Sequence, residues 1–129
     1  MAFEGYLIKI NGTAFPNSYI LMDSYDSSPN QLMDDDSYTD GDGKLHRNVL
    51  PHTRSKLEFN TVPKLTLADK MAIQSFIPTR VKLTVKYWND ESNTYKSGEF
   101  YVPDITFPIH DITATDIIYN STRIAFIEY

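Results

Sequence analysis

The chain has 129 residues, seventeen of them acidic against twelve basic, for a formal net charge of −5. That length is one domain with room for a real core. That charge excludes a protein built to grip a phosphate backbone, which needs a basic face. Cysteine is absent, which excludes disulfide frameworks, thiol nucleophiles and thiolate metal sites.

The start, Met1-Ala-Phe-Glu-Gly5, has neither a basic n-region nor a following apolar run, so no signal peptide is expected. Apolar runs reach only three or four residues, far below a membrane span. The expectation is a soluble chain made in a cytoplasm and not exported by the general route, with no membrane partner. Nine Tyr, seven Phe and one Trp, beside many Ile, Val and Thr, favour strands. They also suit half-buried surface, in an assembly or on an ordinary sandwich.

In chain order, residues 3–10 read as a first strand closed by Asn11-Gly12, a strong hairpin signal. Pro16 limits any strand beyond that turn, and 19–22 is a short apolar run, the expected second strand. Residues 23–43 form an acidic, polar stretch whose one apolar pair is Leu32-Met33. Such a stretch in a small domain is expected to be a long loop, either functional or disordered. It is read as hinged on Gly41 and Gly43. Residues 44–50 alternate, with Leu45, Arg47 and Val49 on one side and His46, Asn48 and Leu50 on the other, until Pro51. Residues 53–61 give the cleanest strand: Ser55, Leu57, Phe59 and Thr61 face in, while Arg54, Lys56, Glu58 and Asn60 face water.

A helix is expected over about 66–76. Thr66 caps it with Asp69 three residues on, and Leu67, Ala68, Met71, Ala72, Gln74, Ser75 and Phe76 carry its packed stripe. Pro78 ends it. Residues 80–87 alternate with Val81, Leu83, Val85 and Tyr87 facing in. Residues 96–102 return as the partner strand. Segments 116–119 and 122–129 are expected to pair through an Asn120-Ser121 turn. Seven to nine strands, one helix and one long loop (about 23–43) predict a mainly β fold: an antiparallel β-sandwich or half-open barrel with one flanking helix.

Catalytic patterns are not found. Asp34 to Asp36 and Asp40-Gly-Asp-Gly43 suggest a cation loop, but the EF-hand spacing places Tyr38 and Arg47 where ligands are needed. His46 and His52 are split by Pro51 without a patterned carboxylate, and His110 reads as surface. Gly-x-Ser-x-Gly, phosphate loops and dinucleotide fingerprints are missing. Glu4, Glu58, Glu99 and Glu128 are expected to face solvent. The reading is a protein that is not an enzyme and uses no cofactor or metal. Tyr87, Trp88 and Tyr95, around the polar tip 89–94, could stack on a sugar; the competing reading is a cross-strand aromatic pair holding a hairpin.

Several short signatures occur in order: Ile8-Lys-Ile-Asn-Gly12 with Pro16, Gly43-Lys-Leu-His-Arg47, Arg54-Ser-Lys-Leu-Glu-Phe59, a Leu-rich helix, Val85-Lys-Tyr-Trp88, Gly98-Glu-Phe-Tyr101 and Phe126-Ile-Glu128. The arrangement resembles small proteins encoded among the tail genes of phages and prophages of Gram-positive bacteria, and is similar to tail tube and tube-like baseplate proteins. The resemblance implies a single tail-tube-like β domain over 1–129, a virion component that forms a homomeric ring, a hexamer, with other tail or baseplate proteins as partners and DNA passing through the lumen without specific binding. Tail tube, baseplate and tail-completion roles all fit it. It further implies that the polar loop is an assembly arm, with Leu32, Met33, Gly41, Gly43, Leu45 and Arg47 as the residues that reach a neighbour. The alternative is a non-catalytic carbohydrate-binding β-sandwich module using Tyr87, Trp88 and Tyr95.

Overall fold

In a computed structural model, which describes residues 3–34 and 37–129, the chain forms eleven strands and one α-helix among the described residues. The strands are β1 (Ile8–Ile10), β2 (Thr13–Ala14), β3 (Asp26–Gln31), β4 (Tyr38–Thr39), β5 (Leu45–His46), β6 (Arg54–Asn60), β7 (Leu83–Asn89), β8 (Thr94–Tyr101), β9 (Ile109–Ile112), β10 (Ile117–Tyr119) and β11 (Arg123–Glu128). Helix α1 is Leu67–Phe76, between β6 and β7. Seven strands make one antiparallel sheet in the order β2-β1-β7-β8-β11-β6-β3; β9 pairs with β10 and β4 with β5.

The main sheet curls. Strands β6 and β7 are separated by β8 and β11, about 14 Å along a flat sheet, yet Ser55 Oγ lies 2.7 Å from Tyr87 OH. The curl brings the connector after β2 to the far strand as well. Ile20 bridges Thr61, and Phe15 packs on Phe59 with ring centroids 5.5 Å apart. The sheet does not close, since β2 and β3 remain its free edges. It is a half-open, sandwich-like β fold with one flanking helix.

The core fills the concave side. Ile8, Leu57, Val85, Phe100 and Phe126 are wholly buried. The alternation of 54–60 is observed as read, with the inward residues buried and the outward ones exposed or half-buried. The helix begins where its cap predicts. Asp69 N–H donates to Thr66 Oγ1 at 3.3 Å, and Thr66 N–H donates back to Asp69 Oδ2 at 3.4 Å. Its packed stripe differs from the expected one. Ile73 is buried and Leu67, Phe76 and Ile77 pack beside it, whereas Met71 is 58% exposed. Positions 67, 70, 73 and 76–77 make the inward stripe, and Lys70 joins it by laying its ammonium over the rings of Phe107 and Tyr119.

Four other expectations are corrected. Residues 19–22 are not a strand: 3-10 turns at Asn17–Tyr19 and Met22–Ser24 flank the single bridge at Ile20. Val81 lies outside β7 and is 72% exposed. The C-terminal segments do not pair with each other. β10 pairs with β9, while β11 inserts between β6 and β8. The inserted strand gains partners on both sides, which a hairpin with β10 would not give it. Lastly, the polar stretch 23–43 is not one loop. Asp26–Gln31 pairs with β6, Asp26 opposite Glu58 and Gln31 opposite Arg54, with a bulge between Ser28 and Gln31. An edge strand is held by backbone hydrogen bonds on one side, so it needs few apolar residues. It also accepts Pro29 at its bulge, where no ladder donor is required.

Candidate functional site

The rest of the polar stretch is a narrow ribbon. Its described parts, 33–34 and 37–40 on one limb and 44–50 on the other, run antiparallel: Asp34 bridges Val49, Leu50 N–H donates to the Met33 carbonyl at 2.7 Å, and Tyr38–Thr39 pair with His46 and Leu45. Asp35 and Asp36, the rest of the acidic triplet, lie outside the described residues. Of the expected strand 44–50, only Leu45–His46 is regular. The tip is a tight turn. Gly43 N–H donates to the Asp40 carbonyl at 3.0 Å, and Asp40 Oδ1 accepts the N–H groups of Asp42 and Lys44, each at 3.0 Å. Gly43 has φ +81°, which a side chain would resist. Gly41 and Gly43 are therefore the tip of the ribbon and not its hinge, because a turn with this backbone sits where the limbs reverse.

Two polar clasps tie the limbs. Arg47 donates from Nε and Nη2 to the two oxygens of Asp34, at 3.1 and 2.7 Å. The guanidinium holds the Asp34 carboxyl below its usual range, and that carboxylate raises Arg47 in turn. His46 Nε2 lies 2.6 Å from Asp40 Oδ2, and its ring stacks on Tyr38 with centroids 4.9 Å apart. The His46 contact, followed by the Lys44 N–H, lowers the Asp40 pKa. The expectation that His46 lacks a carboxylate is thus corrected; the turn at Gly41–Gly43 folds Asp40 back onto it, six residues away.

The ribbon carries its apolar residues outward. Leu32 is 60%, Tyr38 57% and Leu45 56% exposed, with Val49 and Leu50 also exposed. Met33 is half-buried, and Arg47 is exposed beside its clasp. The sequence groups Leu32, Met33, Gly41, Gly43, Leu45 and Arg47, and the structure places all six on this one ribbon. It adds Tyr38, Val49 and Leu50, which polar neighbours concealed.

The aromatic trio does not share a face. Tyr87 is 2% exposed, and its hydroxyl bonds to Ser55 on the concave side of the sheet. It cannot meet a ligand, because its inward parity follows that of Leu83 and Val85. Trp88 and Tyr95 sit directly opposite in the β7–β8 ladder and meet edge to face at 5.2 Å. Phe3 packs edge-on to Trp88 at 5.4 Å, and Tyr6 stacks on Tyr95 at 4.6 Å. The pair is a cross-strand fastener, half-buried with Phe3 and Tyr6 packed against it.

The carboxylates are engaged as well. Glu58 is lowered chiefly by Arg123, with Lys56 adding to it, and Glu99 pairs with Lys82 at 2.9 Å. Glu128 departs from the expected outward position, since its Oε1 accepts Ser55 N–H at 2.8 Å. His52 and His110 are exposed, with His52 Nε2 2.7 Å from the Tyr129 carbonyl. A cleft of about 520 Å³ opens between the helix C-terminus and 104–107, lined by Ile73, Ile77, Ile105 and Phe107 with the Arg80–Asp104 pair. Gln74 and Thr79 also line it, so its wall is mixed apolar and polar. Among the described residues, no helix is long and apolar enough to cross a membrane.

Comparison with known proteins agrees with this architecture. The model of one family, described as a family of unknown function (DUF6711), matches residues 1–129. No curated protein matches the chain. A solved chain from the tail of an empty GTA particle, computed with helical refinement and C6 symmetry, is similar in fold with a TM-score of 0.52. The two share 17% identity, over 99% of this chain and 95% of that one.

Proposed function

We infer that this chain, which belongs to the family of unknown function DUF6711, is a structural subunit of a phage tail or a related injection apparatus, working as one of six copies in a homomeric ring. The observation that carries this reading is the likeness in fold, over 99% of the chain, to a chain of a C6-symmetric particle tail. The ribbon supports it from the other side. Five large apolar side chains stand exposed on it, from Leu32 to Leu50, more than a lone hairpin holds out to water without a partner. With limbs of about eight residues it reaches about 25 Å, enough to lie across an adjacent subunit. Leu32, Met33, Leu45 and Arg47 then form the assembly arm, and the Gly41–Gly43 turn is its tip.

The resemblance to proteins of tail gene clusters in Gram-positive phages narrows the role to tail tube, tube-like baseplate or tail-completion component, with neighbouring tail proteins as partners. The net charge of −5 suits a lumen through which DNA passes without sticking. Light scattering coupled to size exclusion, followed by electron microscopy, tests the reading. Sixfold rings or stacked rings are expected. A monodisperse monomer at high protein concentration counts against it.

A further inference from the structure

The outer face of β1 and β7 carries an arrangement that the isolated chain does not explain. Lys9 sits directly opposite Lys86 in the β1–β7 ladder, and like charges directly opposite in a sheet repel. Among the described residues neither lysine makes an ion pair. Lys9 Nζ lies over the Tyr6 ring at 4.7 Å and Lys86 Nζ over the Tyr95 ring at 5.4 Å. The carboxylates nearby are occupied: Glu4 accepts from the Tyr6 hydroxyl at 3.2 Å, and Glu99 holds Lys82 at 2.9 Å. Phe3, stacked at 6.3 Å on the same Tyr95 ring that Lys86 covers, is 47% exposed. The result is a cationic spot with an apolar margin, on a chain whose net charge is −5.

The ribbon is its complement in charge. Between residues 33 and 50 the sequence has five aspartates against Lys44 and Arg47, two of them, Asp35 and Asp36, outside the described residues, and Leu32, Tyr38 and Leu45 stand exposed along it. Within one copy the two surfaces are separated in the order of strands. The ribbon leaves from β3 at one edge, and the lysines lie on β1 and β7, with β8, β11 and β6 between. We propose that the Lys9–Lys86 face is the seat for the acidic ribbon of a second copy of this chain. The contact is heterologous: each copy gives a ribbon at one edge and receives one near the other, which closes a ring or extends a stack. This rests on the ring reading above and names the surface that receives the arm.

Charge reversal tests it. One variant carries Lys9→Glu and Lys86→Glu. The other carries Asp35→Lys, Asp36→Lys and Asp42→Lys, which leaves Asp34 and Asp40 to Arg47 and His46. Circular dichroism establishes that both fold, and sedimentation velocity reads assembly. Each variant alone is expected to be at least tenfold weaker in assembly than the native chain, whose own assembly weakens as salt rises. An equimolar mixture is expected to recover assembly, because the native ribbon of the first finds the native face of the second and the two reversed surfaces match each other. A folded Lys9→Glu/Lys86→Glu chain that assembles like the native one overturns the docking while leaving the ring reading intact. So does a mixture that stays monomeric. A native chain that never assembles overturns the ring reading itself. If the lysine variant assembles normally but loses binding to duplex DNA, the face belongs to nucleic acid and the proposal fails.

Discussion

Tyr25 and Tyr87 both bury a phenol in the concave side of the sheet, and they differ in whether that phenol has a partner. Tyr87 OH bonds to Ser55 Oγ at 2.7 Å, and Asn89 Nδ2 donates to it at 3.4 Å. Tyr25 stacks on Phe59 at 6.1 Å, but its buried hydroxyl has no hydrogen-bond partner among the described residues. A buried polar group left unpaired costs its desolvation, whereas a paired one repays it. Tyr87→Phe is therefore expected to lower stability by about 1–2 kcal/mol in urea denaturation. Tyr25→Phe, the same chemical change, is expected to leave stability unchanged or raise it by up to about 1 kcal/mol. Burial, with Asp90 adding to it, pushes the Tyr25 phenol above its ordinary value. A folded-state pKa above the unfolded one gives stability that is complete below about pH 10 and is lost as pH rises through and beyond it. The advantage of the Tyr25→Phe variant over the native chain should then grow between about pH 8 and pH 11. A constant difference would mean that Tyr25 titrates normally.

At the scale of the element, the cap of α1 and the edge strand β3 represent what the sequence shows and what it hides. The cap is local chemistry, Thr66 with Asp69 three residues on, so the start of the helix was legible. Thr66→Ala is expected to cost about 1 kcal/mol, read as a shift in the denaturation midpoint with unchanged slope. The strand β6 was equally legible, because one buried face imposes a period of two on side chains. β3 imposes none: Asp26–Gln31 is held through its backbone to β6, and Pro29 at a bulge reads in sequence as the end of a strand. β9 is hidden for the same reason, all four of its residues being exposed, and without it the sequence offers β11 as the neighbour of β10. The ribbon residues were visible as turn formers and as isolated apolar pairs, but His46 with Asp40 required the turn between them to be known. These limits set where the chain can be cut. Gln31 lies opposite Arg54, which leaves Leu32 and Thr53 facing across a two-residue turn. Replacing 33–52 by Asn-Gly, a turn that suits this twist, should leave unfolding cooperative and stability within about 1 kcal/mol of native, as expected for surface changes. Removing Asp26–Gln31 as well strips an edge from β6 and should lower stability well beyond that. Equal stability of the two deletions would mean that β3 adds nothing to the sheet.

At the scale of the whole molecule, the order of strands decides what kind of assembly is possible. The ribbon grows from β3, one free edge, and the lysine face flanks β2, the other. Neither is self-complementary, so the contact always joins a ribbon to a different surface, and unless two copies exchange ribbons reciprocally about a twofold axis it propagates from copy to copy into a ring or stack. A chain that lacks its ribbon keeps the receiving face. It can accept a native neighbour's ribbon but offers nothing to the next copy, and so it ends a ring or stack. With one ribbonless copy mixed among five native ones, roughly a third of sixfold rings would by chance contain none. Assembly read by sedimentation should therefore fall much more steeply than the dilution of native chain, with dead-end species of two to five copies in its place. The Lys9→Glu/Lys86→Glu change added to the ribbonless chain removes both contacts, and that chain should no longer poison the mixture. A ribbonless chain that is inert up to equimolar amounts would mean that the ribbon binds something other than its own neighbour. Poisoning that survives loss of both lysines would place the seat elsewhere on the sheet.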